Sequence, residues 1–65
     1  MPVLKTRNAM RKLALGERVL VLVDDPLAVI DIPAFCNETG QTLVEQSDGD
    51  DKSFSFLIER QSEKL

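Results

Sequence analysis

The run Val19-Leu20-Val21-Leu22-Val23 constrains this chain more than any other stretch. Five consecutive apolar residues, three of them β-branched, are too few for a buried helix and suit a strand. With no polar alternation, the run predicts a strand over 19–23 buried on both faces. Such a strand needs hydrogen-bonded neighbours at both edges and apolar cover on both sides. The chain has only 65 residues with which to supply them. A chain of this length buries only about 60% of its unfolded surface, so its stability is marginal. The single cysteine, Cys36, cannot form an internal disulfide, and the absence of histidine removes the usual zinc spacings.

The segment before the strand reads as a helix over 2–15. Val3, Thr6, Met10 and Leu13 recur at spacings of three and four and form one stripe. Pro2 suits the first turn, where its missing N–H is not needed, and Gly16 is a reasonable stop. Lys5, Arg7, Asn8, Arg11 and Lys12 then face solvent. After the strand, Asp25 is a candidate N-cap and Pro26 a candidate first helical residue. A second helix is expected from there to about Glu38, stopped by Gly40. Pro33 should kink it or split it into two pieces, with Asp31 capping the second. Its buried side is expected to carry Ile30, Ile32, Phe35 and Cys36.

"QTLVEQ", residues 41–46, reads as a short strand, and "SDGDD" as a turn in which Gly49 takes positive φ. "KSFSFLIER" alternates, with Phe54, Phe56 and Ile58 on one face and Ser53, Ser55, Leu57 and Glu59 on the other. The two strands form a hairpin, and the polar tail 61–65 is expected to fray. The order α-β-α-β-β predicts an α+β fold in a single domain over 1–65. It is a two-layer sandwich, with two helices on one face of a small mixed sheet. To give the apolar strand 19–23 a second neighbour, a further strand would have to lie before residue 1.

Charge is distributed unevenly. Residues 1–18 hold five basic residues against Glu17, a balance of +4, and residues 19–65 hold three against ten acids, a balance of −7. Lys5, Arg7, Arg11 and Lys12 are therefore a candidate docking face for an anionic partner, or simply the solvated face of a helix. The acidity of the whole, the scarcity of aromatic residues and the lack of a base-reading motif argue against nucleic acid as the main partner. No apolar run reaches the roughly 20 residues of a membrane span, and no signal-peptide pattern opens the chain. A soluble cytoplasmic protein is expected. Asp24 and Asp25 read as a strand end and a cap rather than as a catalytic pair. The segment 48–51 lacks the spacing of a calcium loop. Lone and flanked by Phe35, Cys36 reads as a small core residue. No set of residues for a cofactor or metal emerges.

Four segments, "MPVLKT", "DDP" at 24–26, "DIPAFC" at 31–36 and "FLIER" in the last strand, resemble in order and spacing the TusA/SirA family of small sulfur carriers. The resemblance covers essentially the whole chain. It implies a β-α-β-α-β-β sandwich and a Cys-Pro-x-Pro signature at the junction of the first strand and first helix. Met1 matches x and Pro2 the second proline, so Cys-Pro would stand immediately before Met1. In the family that cysteine accepts sulfur as a persulfide and passes it on. A thiol there would meet the positive end of the helix dipole, with Lys5 and Arg7 adding positive potential, which favours the reactive thiolate. The resemblance implies a relay between a cysteine desulfurase and acceptor proteins, in tRNA thiolation or cofactor assembly. As numbered, no residue fills the cysteine's place, so no catalytic residue is assigned and the chain as given is not expected to be active. Two explanations stand: a start placed at an internal methionine, favoured because a marginal domain can hardly spare a strand, or a non-catalytic interaction or regulatory module of the same fold.

Overall fold

A computed structural model describes residues 2–49 and 53–65. It contains α1 (Pro2–Arg11), β1 (Arg18–Val23), α2 (Ala28–Thr39), β2 (Thr42–Asp48) and β3 (Phe54–Glu59). The strands form one sheet in the order β1-β3-β2, with β3 antiparallel to both neighbours. The expected α+β fold, with its helices over one face of a small sheet, is what the chain adopts. The sheet is antiparallel throughout its described strands rather than mixed.

β3 is central because it alone has the strict alternation that serves one buried face. Phe56 and Ile58 are fully buried, and Val21 and Val19 stand opposite them on β1. Thr6 and Met10 from α1 and Ala28, Ile32, Phe35 and Cys36 from α2 close the layer from above. The stripe Val3, Thr6, Met10 and Leu13 accordingly faces inward. β2 reaches beyond the expected strand, to Asp48, and carries a bulge between Leu43 and Glu45 that leaves Val44 as its extra residue.

Several expectations are corrected. β1 is not buried on both faces: Val19, Val21 and Val23 face the core, whereas Leu20 is 58% and Leu22 70% exposed. The helices cover only one side of the sheet, so the apolar run is split by its own pleat. Ile30, expected in the core, is 69% exposed. The inward stripe runs through Ala28, Ile32, Phe35 and Thr39, at spacings of four, three and four, and Ile30 falls outside it. Pro33 does not divide α2, and Asp31 caps nothing. Ile32 on one side of the proline, and Phe35 and Cys36 on the other, seat both halves in the same core, which offsets one lost hydrogen bond. Asp25 helps to start the helix, but from outside it. Its Oδ1 accepts the Leu27 N–H at 2.9 Å and its carbonyl the Ala28 N–H at 3.0 Å, so Leu27, not Asp25, is the N-cap.

Gly40 ends α2 as expected, in the left-handed region at φ 73°. The Gln41 N–H then returns to the Cys36 carbonyl at 2.9 Å. The α1 helix is shorter than the expected 2–15, and Gly16, at φ 89°, lies in the loop beyond it. Its last turn tightens, with Leu13 N–H bonding the Met10 carbonyl. Arg60 Nη1 donates to the same Met10 carbonyl at 3.3 Å and to the Leu13 carbonyl at 2.7 Å. The tail expected to fray is held down. Gln41 Nε2 donates toward the carbonyls of Thr39, Ser62 and Lys64, while its Oε1 accepts the N–H groups of Gln61 and Ser62. Arg60 Nε donates to the Ser62 carbonyl, and Leu65 packs on the core. The turn assigned to 47–51 falls partly on 50–52, outside the described residues. Beside it, the Gly49 N–H bonds the Ser53 carbonyl at 2.7 Å.

Truncating Phe56 to alanine should cost about 3–5 kcal/mol, most of the stability of a domain this small. Loss of the cooperative transition in urea would record it. Arg60→Ala should cost about 2 kcal/mol, because charge-assisted bonds to helix carbonyls are lost. Hydrogen exchange should then accelerate at residues 10–14 and 61–64, while the hairpin keeps its protection.

Candidate functional site

The two helices run parallel. The end of α1, the end of α2, the start of β1 and the end of β3 all meet the segment 60–64, through Arg60 and Gln41. The first turns of α1 and α2 therefore lie together at the opposite end. Two helix N-termini at one end of so small a domain bring two positive dipole ends together, although the turn at 25–27 already pairs the first N–H groups of α2. Pro2 opens α1, as its fixed φ favours. Met1, the other expected remnant of the signature, lies outside the described residues.

The three basic residues of α1 and Lys12 in the turn after it do not form one face. Helical geometry groups Leu4, Arg7 and Arg11 on one flank, and Lys5 and Lys12 with Asn8 on another. Arg7 marks the α2 side, its guanidinium carbon 5.6 Å from the centre of the Phe35 ring. Its Nε is buried without a hydrogen-bond partner. The stem thus packs between the helices while the charge is held over an aromatic face. Arg11 is exposed and donates to Asn8 Oδ1 at 3.4 Å. Lys5 and Lys12 are exposed as well.

Sequence reasoning missed three apolar side chains at this end. Leu4 in the first turn of α1, and Leu27 and Ile30 at the start of α2, are all more than half exposed. The signal was present for α2: a stripe drawn through Ala28 and Ile32 leaves both Leu27 and Ile30 outside it.

Cys36 lies in the second half of α2, on the buried side and toward the Arg60 end. Burial pushes its thiol above the ordinary value of 9.0. That is the reverse of what a sulfur nucleophile needs, so Cys36 is a core side chain by placement and by chemistry. The Asp25 carboxylate is committed to the turn before α2, and Asp24 beside it is exposed. Among the described residues, no group of three or more histidine, cysteine or acidic side chains is arranged to hold a metal. Nor is any described helix long and apolar enough to cross a membrane.

A model of the family described as Sulfurtransferase TusA matches residues 1–60. The chain belongs to the TusA sulfurtransferase family. The match takes in both helices, the three described strands, Met1-Pro2 and the clamping Arg60. Membership gives the chain a family in which proteins act on one another as sulfur carriers.

Cys36 should resist alkylation by iodoacetamide in the native protein and react stoichiometrically in urea; rapid native labelling would contradict its burial. The pH dependence has a defined sign. The folded state holds the Cys36 proton more tightly than the unfolded chain does. This contribution is complete below 9.0 and is lost as pH rises past 9.0 toward the raised value. The Tm advantage of the wild type over Cys36→Ala should therefore shrink as pH climbs through that window.

Proposed function

We propose that this chain is a sulfur relay between a cysteine desulfurase and acceptor proteins serving tRNA thiolation or cofactor assembly. The family match over residues 1–60 carries this reading. The convergence of both helix N-termini beside basic residues supports it. In this reading the carrying thiol belongs to a Cys-Pro immediately before Met1. Its thiolate attacks the terminal sulfur of the donor's persulfide. The donor leaves as a thiolate, and the carrier holds the sulfur as its own persulfide. The exchange is balanced without an outside oxidant or reductant, and the reverse geometry serves the acceptor. The positive dipole ends favour the thiolate form of the attacking sulfur. Arg7 and Arg11, on the α2 flank of α1, steer an acidic partner surface, and the exposed Leu4, Leu27 and Ile30 add apolar contact at the same end. Neither role falls to Cys36.

The first test is the intact mass of the protein from its native source, with its N-terminal peptide sequenced. A chain reading Cys-Pro before Met1, and labelled as a persulfide by desulfurase and radiolabelled cysteine, is the expected result. A native chain beginning at Met1 or Pro2 would end the carrier reading and leave an interaction module of the same fold. Replacing Arg7 and Arg11 together by glutamate should slow association with the desulfurase roughly tenfold and weaken its dependence on salt. Stopped-flow binding at two ionic strengths would check this.

A further inference from the structure

The side of the sheet away from the helices carries no covering element among the described residues. It is not polar, as an open antiparallel face usually is. Leu20 stands opposite Leu57 on β3, and Glu45 stands opposite Leu57 on β2, so these three share one row across the sheet. Leu22 lies two residues along β1 on the same face. Leu20, Glu45, Leu57, Ser47 and Ser55 line a shallow concavity of about 370 Å³. Leu20 and Leu22 are the most exposed apolar residues of β1, and they adjoin a half-buried Leu57. Contiguous exposed apolar surface of this kind marks an interaction site more often than scattered leucines do.

The charges around the patch select the occupant. Arg18, its one cation among the described residues, is engaged: Nε donates to Glu59 Oε1 at 3.0 Å. Glu45 is exposed and forms no ion pair among the described residues. Asp24, next along β1 after the strand ends, is exposed too. Among the described residues the margin thus offers carboxylates and no free cation. Nucleic acid or an anionic lipid surface would add negative charge to negative charge. A second copy placed face to face would bring the same two carboxylates and the same engaged arginine.

We infer that the open sheet face is a docking site for a protein partner presenting an amphipathic, lysine- or arginine-flanked apolar segment. The leucines receive its apolar side chains, and Glu45 and Asp24 receive its cations. The site lies on the opposite layer from α1 and from the end where the helices begin. It does not depend on the chain carrying sulfur, and a partner seated there leaves the basic flank of α1 free.

The probe is a short helical peptide with leucines along one face and lysines beside them, titrated into the isotopically labelled protein and followed by amide NMR. A second peptide carries glutamate for each lysine. Shifts from the basic peptide should cluster at residues 20, 22, 45, 47, 55 and 57, and the acidic peptide should leave those positions unmoved. Glu45→Lys should weaken binding roughly tenfold, a loss of about 1.4 kcal/mol, and Glu45→Gln by less. Circular dichroism would verify that both variants stay folded. An unperturbed sheet face, equal binding by both variants, or broadening of these resonances with protein concentration alone would overturn the inference, the last by making a second copy the occupant.

Discussion

One apolar layer, a single side chain deep, holds this domain together. Phe56 and Ile58 of the central strand meet Met10 and Ile32 of the two helices, and all four are fully buried. The chain has no disulfide and no described metal cluster with which to reinforce that layer. Secondary structure follows from it. β3 alternates because only one of its faces is covered, and α2 continues through Pro33 because residues on both sides of the proline contribute to the same layer. Packing outweighs local backbone preference here because the alternative is loss of the only core.

Around that layer the polar groups divide by end. At one end, Arg60 and Gln41 join both helix termini and the tail through side-chain bonds to main-chain carbonyls and amides, and the Arg60 backbone joins the loop that leads into β1. At the other end the helices begin, the turn at 25–27 pairs the first N–H groups of α2, and apolar side chains remain exposed. A small carrier gains from this division. The tied end maintains the orientation of the helices, and the opposite end keeps both positive dipole ends side by side.

The element order and the family were legible in the sequence because both rest on local signals. Periodic spacing marked α1, alternation marked β3, Gly40 marked the end of α2, and four short segments carried the resemblance. What could not be read was which of two possible faces a segment would turn inward. The run 19–23 is apolar at every position and gives no phase, so its half-exposure depended on how many helix layers the chain could build. Ile30 was misplaced for the same reason. Apolar residues in α2 outnumber the positions on one stripe, and hydrophobicity alone cannot choose among them. Arg60 and Gln41 were unreadable for another reason. Their partners lie about twenty to fifty positions away, and nothing in "QTLVEQ" or "FLIER" announces a carbonyl so distant in sequence. At the candidate site, the basic residues were visible as a group, but their division into two flanks required the position of Phe35.

The place of β3 in the sheet has a consequence for how the protein is made. Among the described residues β1 and β2 are not hydrogen-bonded to each other; each pairs with β3, which follows both in the sequence. During synthesis the ribosome therefore delivers β1 and β2 before the strand that joins them. Until β3 emerges, Phe56 and Ile58 are missing from the layer on which both helices settle. The core can close only after nearly all of residues 1–59 have been made. A nascent chain stalled before Phe54 would be a substrate for chaperones or proteases rather than a partly built domain.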